Sequence, residues 1–323
     1  MNLDTPRIGI MICTANRPQM LIECIKSLIA QEVDPSCTVE ICVVENDLTP
    51  LSKQSIMDIS SSSRFPIHYA QEVRRGIPFA RNKTLQEGLD RKYDLIALLD
   101  DDEKVSANWL MTHLQTLRKF NADVSYGPIL RTFDATPPDW WDTSVPAPKP
   151  EGAELNRAST GNVFFKAALA KDPVALRFNE KLTFGYEDLD FFERAVSAGF
   201  KIVWSPNAIA TEHVPASRLE PSRLLAWARS SSAAHAQIGI IRNGFARSFL
   251  KFSIKGIRRI IGGTLGAWVL FPFAAPENTK IHNRYYKLRM RTARGIGNLQ
   301  GLGSRPFKHY YDTIDDFDSS NES

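Results

Sequence analysis

The feature that most constrains the fold is a short apolar run that ends in a cluster of acids. Residues 95–99 are apolar throughout, and three aspartates and a glutamate occupy positions 100–103. A short unbroken apolar run is typical of a buried strand, often in a parallel sheet. Four carboxylates at its end repel one another and resist burial without a cation. The run therefore indicates either a divalent metal site with a phosphate-bearing substrate, or a solvated turn that caps a helix starting near Ser106.

Strand-like and helix-like segments alternate over the first hundred residues. The predicted strands are 7–13, 39–44, 67–70 and 95–99, and the clearest predicted helices are 19–31 and 78–89. This order predicts an α/β fold with a mostly parallel sheet. Polar clusters at 14–17, 45–47 and 100–103 follow strands, at the edge where open α/β sheets bind ligands.

The pattern changes in the middle of the chain. It becomes irregular from 128 to 150, where Trp140 and Trp141 lie in a proline-rich stretch. The tryptophan pair indicates either a packing anchor or a sugar-stacking platform. Regular structure is predicted again at 161–165, after Glu187-Asp188, at 201–204, at 211–214 and at 219–243.

Positive charge is concentrated near the C-terminus. Residues 240–300 carry twelve Lys or Arg and one acid, Glu277, whereas the rest of the chain has 28 basic and 35 acidic residues. The uncharged run 260–275 is shorter than the roughly 20 residues that a spanning helix needs. Together they favour a helical extension, 231–300, that lies on an anionic membrane surface, with a buried helix pair as the alternative. Residues 301–323 are predicted to form a flexible tail.

The cysteines and the N-terminus bear on location. Cys13, Cys24, Cys37 and Cys42 have no CxxC spacing, which argues against redox or cysteine–metal chemistry and fits a reducing compartment. No secretory signal is recognisable at the N-terminus. We therefore expect a cytoplasmic protein, peripheral on the inner face of the cytoplasmic membrane. The basic segment mixes charge with apolar runs, so a nucleic-acid partner is not expected.

Short motifs occur in a fixed order between residues 7 and 230. They are Cys13-Thr14-Ala15-Asn16-Arg17-Pro18, Val43-Val44-Glu45-Asn46-Asp47, Gly76-Ile77-Pro78-Phe79-Ala80-Arg81-Asn82, Leu98-Leu99-Asp100-Asp101-Asp102-Glu103, Thr160-Gly161-Asn162 and Gly185-Tyr186-Glu187-Asp188, followed by His213. Their order and spacing resemble family 2 inverting glycosyltransferases, especially bacterial transferases of the succinoglycan type. The resemblance implies a GT-A fold over 1–230, with a Rossmann-like sheet flanked by helices. The nucleotide-sugar-binding half would be 1–127, and the acceptor and catalytic half 128–230.

The resemblance also implies roles for the acidic run. Asp102 would ligate Mg²⁺ or Mn²⁺, and Asp100 would hold the ribose or act through the nucleotide. Asp101, pointing the other way on an extended chain, would be a bystander within this nucleotide-contacting run. Glu103 would support the site or start the next helix. His213 would be either a structural histidine or one that completes the metal or diphosphate site.

Base recognition would use Thr14 and Glu45, with Asp47 as the alternative because the family usually has Asp at the Glu45 position. Arg75 or Arg81 would meet the diphosphate, although Arg81 could equally be a structural partner of an acid. The other candidate nucleotide-sugar contacts are Asn16 and Arg17.

Inversion needs a general base opposite the leaving group. By resemblance this is Asp188, with Glu187 orienting the acceptor or the surroundings of Asp188. The alternative is that both acids only favour the start of a helix through its dipole. The candidate acceptor contacts are Trp140, Trp141 and Asn162.

Together with these residues, the resemblance implies a metal-dependent inverting glycosyltransferase. It would move a sugar, with glucose as the first choice, from a UDP-sugar to a polyprenyl-diphosphate-linked saccharide in cell-surface polysaccharide biosynthesis. A nucleotidyltransferase would need a Gly- and Lys-rich phosphate loop, which is not visible between residues 8 and 20. A catalytically inactive, membrane-associated assembly subunit is the non-enzymatic alternative. It is disfavoured because Asp100, Asp102, Glu187 and Asp188 are all present.

Overall fold

The computed structural model describes residues 4–143, 148–183 and 185–303. Within these ranges the chain forms two compact units. The first contains 4–132 and 148–213, and the second contains 133–143 and 214–303.

The first unit is an α/β structure. Its strands, two of which end in residues of the second unit, are β1 (Arg7–Thr14), β2 (Thr38–Glu45), β3 (Ile67–Gln71), β4 (Leu95–Asp100), β5 (Glu103–Val105), β6 (Val124–Tyr126), β7 (Ile129–Phe133), β8 (Glu154–Leu155), β9 (Asn162–Lys166), β10 (Ile202–Trp204) and β11 (Ala210–Val214). Its helices are α1 (Pro18–Ile29), α2 (Lys53–Ser60), α3 (Ile77–Asp90), α4 (Trp109–Phe120) and α5 (Glu187–Ser197). The predicted α/β class with a mostly parallel central sheet is confirmed.

The main sheet has the strand order β3-β2-β1-β4-β9-β6-β10-β8, and a small sheet has the order β5-β11-β7. Strands β3, β2, β1 and β4 are parallel, whereas β9 runs antiparallel to both of its neighbours, β4 and β6. Both faces of the sheet are covered. On β1, Ile10 and Ile12 pack in one apolar cluster with Leu21 of α1, while Met11 packs in a second cluster with Leu85 of α3. Successive strand residues alternate between faces, so a continuous apolar strand is what two covered faces require.

The chain order brings the ends of β1 and β4 together. The chain runs outward from β1 to β2 and β3, and β4 then returns to the other side of β1. Open α/β sheets bind ligands at the carboxyl end of such a switch point. The fold therefore places the loops after β1 and β4 where a ligand site is expected.

The second unit is helical. Its helices are α6 (Pro221–Asn243), α7 (Phe245–Leu270) and α8 (Thr279–Gln300), joined between α7 and α8 by a short 3-10 turn at Phe271–Phe273. Trp140 packs with Leu224, Ala228 and Met290 from α6 and α8. No helix in the described ranges combines the length and the apolar character needed to cross a bilayer.

Several elements differ from the sequence predictions. Residues 129–133 form β7, although 128–150 was predicted to be irregular, and Lys53–Ser60 forms a helix that was not predicted. The units divide between 213 and 214, whereas the predicted domain boundary was after 230. The packing of Trp140 explains why 133–143 belongs with the helices. Most of the predicted tail, 304–323, lies outside the described residues.

Candidate active site

The carboxyl ends of β1 and β4 meet at one edge of the main sheet. Cys13 is the register partner of Asp100 across these parallel strands. Thr14 and the acidic run therefore lie side by side, at the switch point of the sheet.

Asp101 turns its carboxylate into the end of β1. The Thr14 hydroxyl donates to Asp101 Oδ2 at 2.8 Å, and Arg17 Nη1 donates to Asp101 Oδ1 at 3.3 Å. Burial raises the pKa of Asp101 to about 6, against the lowering effect of Arg17. Both carboxylate oxygens are thus bonded within the protein. This geometry fits a bystander that fastens the acidic run to the loop after β1, rather than a nucleotide contact.

Asp100 and Asp102 form the more open side of the acidic run. The Asp100 side chain is 45% exposed, and its Oδ1 lies 3.5 Å from Arg81 Nη2. Asp102 Oδ2 lies 3.6 Å from Arg17 Nη1, so one guanidinium group contacts both Asp101 and Asp102. Partial loss of hydration at the carboxyl raises the pKa of Asp100, Arg81 opposes this shift, and the charge of Asp102 adds to it.

The small sheet brings His213 to the acidic run. Strand β11 pairs antiparallel with β5, and Glu212 stands opposite Glu103. The His213 backbone nitrogen lies 3.5 Å from the Asp102 carbonyl oxygen, and the histidine is exposed. The two residues predicted to hold a metal are therefore neighbours.

Glu103 is buried beneath the acidic run. Its Oε2 accepts a hydrogen bond from the Asp100 N–H at 3.2 Å, and burial raises its pKa. Gly161 provides the space for this arrangement, because a Cβ there would lie 2.7 Å from Glu103 Oε1 and 3.2 Å from Asp100 Oδ2. Glu103 begins β5, so the predicted role as a helix-start acid is wrong, and a supporting role fits.

Arg81 connects the acidic run to the first turn of α5. It is buried on α3, where its guanidinium group forms an ion pair with Glu187 and lies against Asp100. The second carboxylate oxygen of Glu187, Oε2, is buried and has no hydrogen-bond partner. Burial raises the pKa of Glu187, Arg81 opposes this, and Asp188 adds to the rise. Of the two predicted roles for Arg81, its contacts fit the partner of acids.

Asp188 stands beside Glu187 at the start of α5. Its Oδ1 accepts a hydrogen bond from the Leu189 N–H at 2.7 Å, and its side chain is partly exposed. The preceding Gly185 and Tyr186 have φ values of 104° and 72°, a left-handed turn that is unusual for tyrosine. Backbone of this kind clusters at functional sites. The contacts are compatible with both predicted readings of Asp188, a helix-start acid and a base.

The predicted base-recognition residues have different surroundings. Glu45 is fully buried, and its two carboxylate oxygens accept hydrogen bonds from the Ser52 N–H and the Tyr69 hydroxyl. Asp47 is partly exposed, and its Oδ1 accepts from the Thr49 N–H. The geometry therefore favours Asp47, the alternative to Glu45.

Asn46 holds the loop that carries Arg75. The Asn46 amide donates to the carbonyls of Glu72 and Arg74 and accepts from the Gly76 N–H. Arg75 is exposed on this fixed loop, and the positive φ of 135° at Gly76 directs the chain into α3. Asn16, a further candidate, has a positive φ of 54° in the turn after β1.

The predicted acceptor residue Asn162 has a structural role instead. It is fully buried, and its Oδ1 accepts from Trp109 Nε1 and lies 2.9 Å from His113 Nε2. Its Nδ2 donates to the carbonyls of Pro128 and Ala208. Every polar atom of the side chain is satisfied within the protein, so an acceptor contact does not fit this geometry.

The tryptophan pair belongs to the helical unit. Trp140 is 3% exposed and stacks on Tyr286, with ring centroids 4.9 Å apart. Trp141 is partly buried and makes an edge contact with Phe133. For Trp140 the packing-anchor prediction fits, because a buried face cannot stack on a sugar.

The donor set of the acidic run fits a hard divalent cation. Burial and the neighbouring carboxylates raise the pKa of Asp100 and of Glu103, and a cation would relieve this crowding. Mg²⁺ usually takes one or two carboxylates together with substrate phosphates, and Asp102 offers a carboxylate of this kind at the acidic run. Within the described part of the chain, no group of three or more His, Cys, Asp or Glu side chains is arranged so that it could hold a metal ion.

The sequence did not identify three residues that support the site. Tyr69 and Ser52 bind Glu45, but a strand tyrosine and a loop serine give no distinguishing signal in one sequence. Gly161 was noticed only as part of a motif. A glycine at a strand start indicates close approach of other groups, and this signal could have identified it.

Comparisons with known proteins bear on the family of this chain. The family model described as "Glycosyl transferase family 2" matches residues 9–173. "Succinoglycan biosynthesis protein ExoM" of Rhizobium meliloti (strain 1021) is 30% identical over 315 residues, which are 95% of this chain and 96% of ExoM.

Solved structures of S. aureus TarS share the fold. One gives a TM-score of 0.51 at 16% identity, and covers 89% of this chain and 55% of the TarS chain. TarS 1–349 gives 0.51 at 15% identity, with coverages of 89% and 90%. The likeness to TarS concerns the fold, which is of the GT-A type. On the family model and the ExoM relationship, the chain is a glycosyltransferase that belongs to family 2.

Proposed function

We propose that this glycosyltransferase moves a sugar, with glucose as the first choice, from a UDP-sugar to a polyprenyl-diphosphate-linked saccharide. The reaction would be inverting and metal-dependent, and would take place in cell-surface polysaccharide biosynthesis at the inner face of the cytoplasmic membrane. The name of the relative ExoM supports the polysaccharide context, with succinoglycan or a related polymer as the product.

One observation carries the proposal. Arg81 contacts Asp100 on the donor side and Glu187 on the acceptor side, so the two acids at the start of α5 are held near the acidic run. A displacement reaction needs this proximity, since the attacking and leaving groups share one anomeric carbon.

The proposed reaction assigns a role to each of these site residues. The acceptor hydroxyl oxygen forms a bond to the anomeric carbon, the bond to the diphosphate oxygen breaks, and Asp188 takes the hydroxyl proton. Glu187, buried and paired with Arg81, orients the surroundings of Asp188. Asp102 and His213 would hold Mg²⁺ or Mn²⁺, which, when bound, neutralises the charge that develops on the diphosphate.

A donor screen tests the proposal. The purified protein is incubated with a lipid-linked saccharide fraction and with UDP-glucose, other UDP-sugars, GDP-sugars or dTDP-sugars, with Mn²⁺ or with a chelator. We expect UDP release that requires both acceptor and metal, and a product of inverted anomeric configuration. Absence of nucleotide diphosphate release from every donor would contradict the proposal, and retention of configuration would contradict the role of Asp188.

A further inference from the structure

Helix α7 has two opposite faces of different character. Its buried residues form a single row, made of Ser248, Phe252, Gly256, Gly263 and Ala267. On the opposite side, apolar residues recur three or four positions apart and are all exposed. This stripe consists of Leu250, Ile254, Ile257, Ile261, Leu265 and Trp268.

The stripe is continuous along the helix. At 1.5 Å per residue it runs for roughly 27 Å, because it spans five turns at the helical period. Trp268 is 76% exposed and Leu250 is 64% exposed. Most of the exposed large apolar side chains in the described part of the chain lie between residues 245 and 273. A patch of this extent on a soluble surface indicates an interaction site.

A row of basic residues follows one flank of the stripe. Successive residues of an α-helix are rotated by about 100° around the helix axis, and this rotation places the basic side chains between the stripe and the packed face. All of them are exposed. The basic row consists of Arg247, Lys251, Lys255 and Arg258. The cations also crowd one another. Partial burial together with Arg259 and Lys251 lowers the pKa of Lys255.

The surrounding charge is of one sign. Partial burial, with Arg294 and Arg291 of α8, lowers the pKa of Arg259. Glu277 is the single acid between positions 240 and 300. An anionic partner would relieve the repulsion among these cations.

The stripe and the basic row together favour one class of partner over the others. A second copy of the chain, packed along the same stripe, would cover the apolar side chains but would leave the basic row without acidic partners, because Glu277 is the single acid between positions 240 and 300. Nucleic acid would satisfy the cations but leave the stripe exposed. A bilayer that contains anionic lipids satisfies both, since acyl chains cover the stripe and lipid phosphates meet the basic row.

We propose that α7 lies in the plane of an anionic bilayer surface, with the stripe inserted into the acyl boundary and the basic row on the lipid phosphates. The purpose of this docking rests on the proposed function, because a lipid-linked acceptor is confined to the membrane. The close packing of α7 on α8 keeps the stripe on the outside of the helix pair. A Cβ on Gly256 would lie 2.8 Å from the Leu299 side chain, and one on Gly295 would lie 2.8 Å from the Gly256 carbonyl.

Vesicle flotation of the full-length protein tests this surface. The stripe variant carries Leu250→Gln, Ile257→Gln and Ile261→Gln, and its matched control carries the exposed-site changes Met57→Gln, Leu130→Gln and Val174→Gln. On phosphatidylcholine vesicles containing phosphatidylglycerol, we expect the stripe variant to bind at least about a hundredfold more weakly than wild type. The control variant should bind like wild type. Circular dichroism before each assay confirms that the variants are folded.

The basic row is tested separately. The double variant Lys251→Gln, Lys255→Gln should bind the anionic vesicles about thirtyfold more weakly than wild type. On vesicles of pure phosphatidylcholine, the double variant and wild type should bind equally. The exposed pair Arg157→Gln and Lys181→Gln is the matched control and should change neither.

Three results would overturn the proposal. The first is equal flotation of wild type and the stripe variant, and the second is failure of wild type to bind anionic vesicles. The third is a stripe variant whose oligomeric mass differs from that of wild type while its vesicle binding does not. Binding of DNA or RNA by wild type, with no vesicle binding, belongs to the second of these. UDP release measured in parallel keeps the two proposals apart. Stripe-dependent flotation without any UDP release would support the docking and contradict the proposed function.

Discussion

Glu187 and Asp188 are neighbours in sequence, yet their carboxylates have different surroundings. Glu187 is buried against Arg81, whereas Asp188 is partly exposed and bonded only to the backbone of its own helix turn among the described contacts. A base must reach the acceptor hydroxyl and must not be neutralised by a permanent cation. Of the two, Asp188 is the more exposed and Glu187 is the one paired with Arg81, which supports the proposed assignment of Asp188 as the base.

The Asp188→Asn variant distinguishes catalysis from helix capping. We expect transfer to fall by at least about a hundredfold, because asparagine cannot take the proton, with UDP affinity unchanged. Single-turnover transfer and calorimetric UDP binding measure the two quantities.

The matched control is Asp190→Asn. Asp190 also lies in the first turn of α5, where it pairs with Arg194 at 2.9 Å. Its variant should transfer at close to the wild-type rate. Similar losses in both variants would show that the acids act through the helix dipole instead.

His113 illustrates a buried residue that affects stability through protonation. It lies within hydrogen-bonding distance of Ser125 and Asn162, and burial lowers its pKa to about 4. The unfolded chain takes up a proton below about pH 6.5, but the folded protein does so only near pH 4. The stability that depends on neutral His113 is therefore complete above about pH 6.5 and is lost as the pH falls towards 4.

We expect the free energy of unfolding to fall by about 3 kcal/mol from this group over that range. His113→Gln should lower stability at pH 7 but flatten the acid dependence, as measured by urea unfolding from pH 4 to 7. His235→Gln, at an exposed histidine, should keep the wild-type slope. An unchanged slope in His113→Gln would contradict the assignment.

At the scale of elements, glycines set how closely α7 and α8 approach. A Cβ on Gly263 would lie 2.8 Å from both the Leu288 carbonyl oxygen and the Thr292 nitrogen. These are backbone atoms of α8, so the helices would have to separate. The adjacent Gly262 faces the flexible guanidinium of Arg291 at 3.2 Å.

Gly263→Ala should therefore destabilise the helical unit by about 1–3 kcal/mol despite the better helix propensity of alanine. Gly262→Ala should be neutral or stabilising by up to about 1 kcal/mol, because the arginine can move. Thermal unfolding followed by circular dichroism compares the two. Equal effects would mean that the backbone approach is not limiting.

At the scale of the whole molecule, the α/β core was predictable and the finer elements were not. Strands β1, β2 and β4 are largely apolar because both faces of the sheet are covered, so each gave a clear signal. By contrast, β7 begins beside Pro128 and its middle residues are exposed, which leaves no apolar period to detect. The roles of Trp140 and Asn162 depend on partners distant in sequence, such as Tyr286 and Trp109, which a single sequence does not reveal.

The site was predictable to the extent that it follows strand ends. Thr14, Asp100 and Asp102 were expected at one edge, and the register of β1 and β4 brings them there. The alternation of side chains along a strand predicted that Asp101 turns away, but the burial of Glu45 was not predictable, because Ser52 and Tyr69 reach it only after folding.

The contact of Arg81 with both Asp100 and Glu187 also bears on exchanging parts between relatives. A chimera that replaces the acceptor half, to redirect the enzyme to another saccharide, would import a new residue at the Glu187 position while keeping the arginine of the recipient. The buried guanidinium would then face an unmatched neighbour. Successful grafts should therefore transfer α3 together with the first turn of α5, although these segments are far apart along the chain.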